Sequence, residues 1–317
     1  MFKKILFATT ASPTCDNAAH VAFDLAKKYK SDLNVFHVLG LPSRGFSPFV
    51  TDTRTGETES CGPDYIDWVK EEMKNTYAKQ LAECETAHIE TLAGVPHTEI
   101  LRKARKDNVD LIVMGAHSRE EDKGATRYRS IVGSTMQKVA KSARCPVLIV
   151  ARPCTTCLWY FSNIVFCTDF SKAADSAFTF ASNLAQYIGS KLWIFHALDL
   201  SSIGSGKVHS QDEIEEKIGQ ARKKIDDRYI SKMGDYDNFE VEIWEGIPYV
   251  EVLKFSREKN GDLIVMAHHT REIDPEKALL GSTVEQVVLR SNCPVASVNK
   301  PDYADLAPER DVTEELA

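Results

Sequence analysis

The sequence predicts an α/β protein built from two tandem, doubly wound domains, each a five-stranded parallel sheet of strand order 3-2-1-4-5 covered by helices on both faces. Three observations predict it. The 317 residues exceed the length of about 250–300 at which a single core stops growing, and 43% hydrophobic with 27% charged residues is ordinary globular composition. Secondly, the chain repeats itself. Lys4-Ile5-Leu6-Phe7-Ala8-Thr9 returns as Asn163-Ile164-Val165-Phe166-Cys167-Thr168, and Asn34-Val35-Phe36-His37 as Trp193-Ile194-Phe195-His196, both at an offset of 159. Gly94-Val95-Pro96 and Asp110-Leu111-Ile112-Val113-Met114 return at 152, then Gly133-Ser134-Thr135 and Cys145-Pro146-Val147 at 148. Offsets that shift only in loops mean two versions of one fold. Thirdly, short continuous apolar runs alternate with helical spacing, the pattern of a parallel sheet buried on both faces.

In the first copy the apolar runs predict strands over 3–9, 32–38, 88–93, 110–115 and 146–151. A helix is predicted over 15–29, with Ala18, Val21, Ala22, Leu25 and Tyr29 on one face. The last helix starts at Ser134 and turns Met136, Val139 and Ala140 inward. In the second copy Ser171 is a candidate N-cap, followed by Ala174, Phe178, Ala181, Leu184 and Ile188 on the core face. Charged helical patterns over 64–86 and 211–231 predict exposed crossovers. The domains are expected at 1–152 and 161–300, joined by a linker at 153–160 and followed by an acidic, patternless tail at 301–317.

The charge balance, 39 basic against 46 acidic residues, argues against a nucleic-acid surface. No apolar run approaches the roughly 18–20 residues of a membrane span, and the five apolar residues near the N-terminus read as a first strand rather than a signal peptide. The eight cysteines form no regular framework, so a reducing cytoplasm is expected. Cys145 and Cys293 read as buried structural thiols, whereas Cys154 and Cys157 form a lone C-x-x-C without the second pair a zinc site wants.

Ligands of such sheets bind outside the carboxyl ends of the strands, where strand order reverses. That crevice lies between strands one and four, beside Thr9, Thr10 and residues 115–118 in the first copy, and Thr168, Asp169 and residues 267–270 in the second. Gly133-Ser134-Thr135 and Gly281-Ser282-Thr283 open the last helices, where unpaired N–H groups and the positive dipole end favour a phosphate. His117, His268 and His269 read as surface loop histidines, with contact to a phosphate or metal as the alternative; His37 and His196 read as structural histidines at strand ends, and Arg127, Arg129 and Ser130 as solvated loop residues, with a polyphosphate in reach as the alternative.

Taken in this order and twice over, these motifs resemble the universal stress protein family in its tandem form, whose fold is adenine-nucleotide α-hydrolase-like. The resemblance covers the chain from Met1 to about Lys300. It implies a nucleotide-responsive stress regulator binding ATP, with magnesium as accompanying ion. It also implies Thr10, Val38, Gly115, Ser118, Gly133, Ser134 and Thr135 as nucleotide-binding positions of the first copy. Those of the second are Asp169, Ala197, Ala267, Thr270, Gly281, Ser282 and Thr283. Neither copy has the whole family pattern. The first carries Thr10 in place of an aspartate and Ser118 in place of a glycine, with Gly124 as a substitute. The second keeps Asp169 but carries Ala267 and Thr270 where glycines would let a ligand approach the backbone.

No catalytic or metal-binding residue is assigned. The sequence lacks a phosphate-binding G-x-x-x-x-G-K-[ST] loop, a nucleophile elbow and a Ser, His and Asp set, so slow ATP hydrolysis is the most that is expected. The alternative is a scaffold or binding module that has lost nucleotide. The resemblance further implies an intrachain pseudo-dimer through the fifth strands, 146–151 against 294–298, and a homodimer beyond it.

Overall fold

The computed structural model describes residues 1–40, 49–51, 58–60, 62–116, 134–152, 161–199, 210–268 and 282–299. Strand β1 (Lys4–Ala8) leads through a 3-10 turn (Pro13–Cys15) into helix α1 (Asp16–Tyr29) and strand β2 (Asp32–Gly40). A hairpin of β3 (Phe49–Thr51) and β4 (Thr58–Ser60) precedes helices α2 (Pro63–Thr76) and α3 (Ala78–Ala82). Then come β5 (Ala87–Gly94), α4 (Pro96–Lys106), β6 (Leu111–Gly115), α5 (Ser134–Ser142) and β7 (Val147–Val150). The second copy runs β8 (Asn163–Cys167), α6 (Lys172–Ile188), β9 (Lys191–Leu198), α7 (Gln211–Arg228) and β10 (Phe239–Glu245). It closes with α8 (Pro248–Glu258), β11 (Leu263–Ala267), α9 (Ser282–Arg290) and β12 (Val295–Val298).

The two halves have the expected order, β5-β2-β1-β6-β7 and β10-β9-β8-β11-β12, all parallel within each half. Strands β7 and β12 pair antiparallel and fuse them into one ten-stranded sheet. The expected contact between the fifth strands is thus a hydrogen-bonded ladder, with Val295 opposite Ile149, Ala296 opposite Leu148 and Ser297 opposite Val147. Apolar side chains gather on both faces of the sheet, and each cluster draws residues from both halves. Central positions such as Leu6, Val113, Ile164 and Val265 are fully buried, each such side chain contributing about 1.5–3 kcal/mol.

The helix patterns hold where they were periodic. Ala18, Val21, Ala22 and Leu25 are buried in α1, and Met136, Val139 and Ala140 in α5. Ser171 caps α6 by accepting from Ala174 N at 3.2 Å. Among the described residues no helix is long and apolar enough to cross a membrane.

The crossovers differ from the expectation of continuous exposed helices over 64–86 and 211–231. The first breaks at Tyr77, between α2 and α3, and the second at Tyr229, before a 3-10 turn (Ile230–Lys232). Both tyrosines are buried. Each turns its ring into the core, a demand that outweighs the surrounding helical, charged pattern. The β3–β4 hairpin is a further element that the apolar periodicity does not announce. The aspartate opening each Asp-Leu-Ile-Val-Met motif is structural: Asp110 Oδ2 accepts from Lys3 N at 2.7 Å and Lys4 N at 2.9 Å, and Asp262 accepts likewise from Ser162 N and Asn163 N.

Candidate functional site at the ends of the first and fourth strands

The turn leaving the first strand is built the same way in both halves. In the first, Thr9 N donates to Phe36 O, and the Thr9 hydroxyl accepts from Ala11 N at 2.9 Å while bonded to the Tyr77 hydroxyl at 2.7 Å. In the second, Thr168 N donates to Phe195 O, and the Thr168 hydroxyl accepts from Phe170 N at 3.0 Å and is bonded to Tyr229 at 2.7 Å. His37 Nδ1 and His196 Nδ1 donate at 2.8 Å to the carbonyls of Thr9 and Thr168. A carbonyl can only accept, so the proton is on Nδ1 in both rings. Burial pushes the His196 imidazole below its ordinary value, which keeps it neutral, and lifts the Tyr229 phenol to about 12. These bonds hold Ala11 and Phe170 in the left-handed region, at φ 55° and 61°, a conformation that side chains with a Cβ resist. Such strain persists where surrounding bonds over-determine it.

Beyond this shared turn the halves diverge. In the second, Arg228 forks onto Asp175, Nε to Oδ1 at 2.7 Å and Nη2 to Oδ2 at 2.8 Å, and also donates to the carbonyls of Phe170 and Ser171. The Asp175 hydrogen bonds hold the guanidinium above its ordinary value. Phe170 lies between the His196 ring, 4.5 Å away, and Tyr229, with Lys224 Nζ 5.6 Å from its centroid. Asp169 is exposed at the mouth, one oxygen accepting from Ser171 N at 2.9 Å.

The first half has Thr76 and Ala11 at the places of Arg228 and Phe170. A cavity of about 20 Å³ remains among Thr10, Ala11, His37, Trp68, Glu72 and Thr76. Here Thr10 does not face outward as a bare hydroxyl. It bonds Ser12 Oγ at 2.7 Å, which continues to Thr14 Oγ1 at 2.8 Å, and it lies 3.4 Å from Cys15 Sγ. A Cβ on Gly115 would come within 3.2 Å of Thr14 O and 3.5 Å of Cys15 Sγ. A Cβ there would be tight against the chain's own 3-10 turn, whereas the equivalent position of the second half carries Ala267.

Of the positions expected from sequence, Thr10, Gly115 and Val38 gather at one end of β1, β6 and β2, and Asp169, Ala267 and Ala197 at the equivalent end of β8, β11 and β9. Ser134 and Thr135 open α5, and Ser282 and Thr283 open α9. Ser118, Gly133, Thr270 and Gly281 lie outside the described residues, as do Gly124, His117, His269, Arg127, Arg129, Ser130, Cys154 and Cys157. His268 differs from the expected surface histidine: directly after the end of β11, it is 3% exposed. His37 and His196 are structural, and Cys145 and Cys293 are buried, as read from sequence. Sequence reasoning missed Tyr77, Tyr229 and Arg228. The tyrosines carried a signal, since they recur at the same offset of 152 as the Gly-x-Pro motif.

Two halves of one doubly wound fold, each with a pinned turn at the switch point of its strand order, define a tandem crevice-bearing α/β protein. Residues 1–151 and 161–299 each match the universal stress protein family, and the chain belongs to that family. It is 32% identical over 155 residues to universal stress protein MJ0531 of Methanocaldococcus jannaschii, covering 48% of this chain and 84% of the relative. It is 30% identical over 159 residues to universal stress protein YxiE of Bacillus subtilis, covering 47% and 99%. Among solved structures, a universal stress protein from Archaeoglobus fulgidus superposes with a TM-score of 0.61 over 94% of this chain and 96% of that one, at 22% identity, a likeness of fold.

Proposed function

We propose that the chain is a nucleotide-responsive stress regulator without dedicated catalysis, and that the second half, residues 161–300, is the half that takes ATP. The observation that carries this reading is the Asp169 turn. Its carboxylate is exposed, its backbone is pinned by Thr168, Tyr229 and Arg228, and it lies at the carboxyl end of β8 next to β11. A ribose hydroxyl would meet an acceptor there, and phosphates would meet the N–H groups that open α9 at Ser282 and Thr283. In the first half, residues 1–152, Thr10 is engaged within its own loop. The residues at 153–160 serve as linker and those at 301–317 as tail. The five described cysteines are buried, in keeping with the reducing cytoplasm that belongs to this reading.

The test is the purified full chain with and without ATP and magnesium. Binding at about 100 times Kd would stabilise by roughly 2.7 kcal/mol, and D169N would remove most of the melting shift. Absence of both a shift and co-purified adenine nucleotide rejects the reading. It would then favour a scaffold without nucleotide.

A further inference from the structure

The seam between the halves carries an asymmetry at its centre. The repeat offset near the fifth strands is 148, so Leu148 and Ala296 are equivalent positions, and they face each other in the antiparallel ladder. The pseudo-twofold axis therefore passes through a pair of equivalent residues of opposite size, both buried in the same apolar cluster. Gln137 and Glu285 are equivalent by the same offset, in the first turns of α5 and α9. They meet across the axis as well, Gln137 Nε2 donating to Glu285 Oε1 at 2.7 Å. A third contact runs one way only. Asn299 Nδ2 donates to the carbonyls of Ala140, at 3.1 Å, and Lys141, near the end of α5, whereas its equivalent, Ala151, has no side-chain donor to offer α9.

We propose that these residues form a complementarity code that makes the first half pair with the second and not with another copy of itself. Pairing two first halves would set Leu148 against Leu148, overfilling the space, and would lose both Asn299 contacts. Pairing two second halves would set Ala296 against Ala296, leaving a void, and Glu285 against Glu285, two half-buried carboxylates in contact. It would also bury two Ser297 hydroxyls, one of which already has no hydrogen-bond partner in the seam. Only the unlike pair matches large to small and amide to carboxylate. Backbone pairing alone cannot supply this choice, because the ladder bonds are the same whichever strands meet.

The experiment is a reciprocal exchange in the full-length chain, read by amide hydrogen exchange of residues 147–150 and 295–298. Q137E places two carboxylates at the axis and should speed seam exchange by about tenfold, as expected of directly coupled neighbours. Q137E/E285Q restores an amide–carboxylate pair in reverse and should return the seam to within about threefold of the parent. A296L and L148A should each loosen the seam, and L148A/A296L should recover it. Should A296L fail to fold, the Gln137 and Glu285 cycle decides, since both side chains are only partly buried. Recovery in the exchanged doubles supports the code. Additive losses in the Gln137 and Glu285 cycle overturn it.

Discussion

Replacing Tyr77 or Tyr229 by phenylalanine removes one hydroxyl and nothing else, and it tests whether the pinned turn is held from below by the crossover helix. In each half the lost bond is 2.7 Å long and buried, and the threonine it serves also accepts from the backbone at 2.9 or 3.0 Å. A typical net hydrogen bond contributes about 1 kcal/mol, and a threonine hydroxyl left partly unsatisfied adds up to about another 1 kcal/mol. Y77F and Y229F should thus each cost about 1–2 kcal/mol in urea unfolding, a drop of roughly 2–8 °C in Tm for units of this size. The local readout separates the two. In Y77F the Ala11 amide should exchange faster by about tenfold. In Y229F the Phe170 amide should be better protected, because Arg228 still holds the carbonyls of Phe170 and Ser171. Unchanged stability in both variants, with the Ala11 amide as slow as in the parent, would refute the idea that the tyrosines hold the turns.

Two further outcomes are expected. R228A should loosen the Phe170 turn and cost about 1–2 kcal/mol, more than an ordinary surface ion pair, because four donated bonds are lost and Asp175 is left half-buried; R228K should recover less than half, since one ammonium cannot make the fork. The His196 imidazole is lowered by burial, so the unfolded chain binds its proton first as pH falls. Its contribution is fully present above the unfolded value of about 6.5 and is lost below it, with a slope of at most about 1.4 kcal/mol per pH unit. H196Q should flatten that part of the stability–pH profile when urea midpoints are compared between pH 7.5 and 5.5.

Much of this architecture was legible because buried parallel strands are written as continuous apolar runs, and the repeat allowed each run to be read twice. The seam between the fifth strands was expected from the family resemblance, and the ladder of β7 with β12 covers the two edges it joins. What escaped was information carried by single side chains in the wrong context. Tyr77 and Tyr229 sit in charged helical sequence, where periodicity predicts continuation, and only their bond to a threonine some 60–70 positions away explains the break. Gly115 was legible as a position needing close approach, but the approaching group turned out to be Thr14 and Cys15 of the same chain. Arg228 was indistinguishable from its charged neighbours because its partners, Asp175 and two carbonyls, are brought to it only by folding.

The antiparallel seam also fixes the direction in which the two crevices look. All strands of one half run opposite to those of the other, so the turn bearing Thr10 and the turn bearing Asp169 open on opposite rims of the sheet, and with β1 and β8 five strands apart they are separated by about 30 Å. One small ligand cannot touch both. The two crevices are in this sense separate places on one sheet, each out of reach of whatever lies at the other.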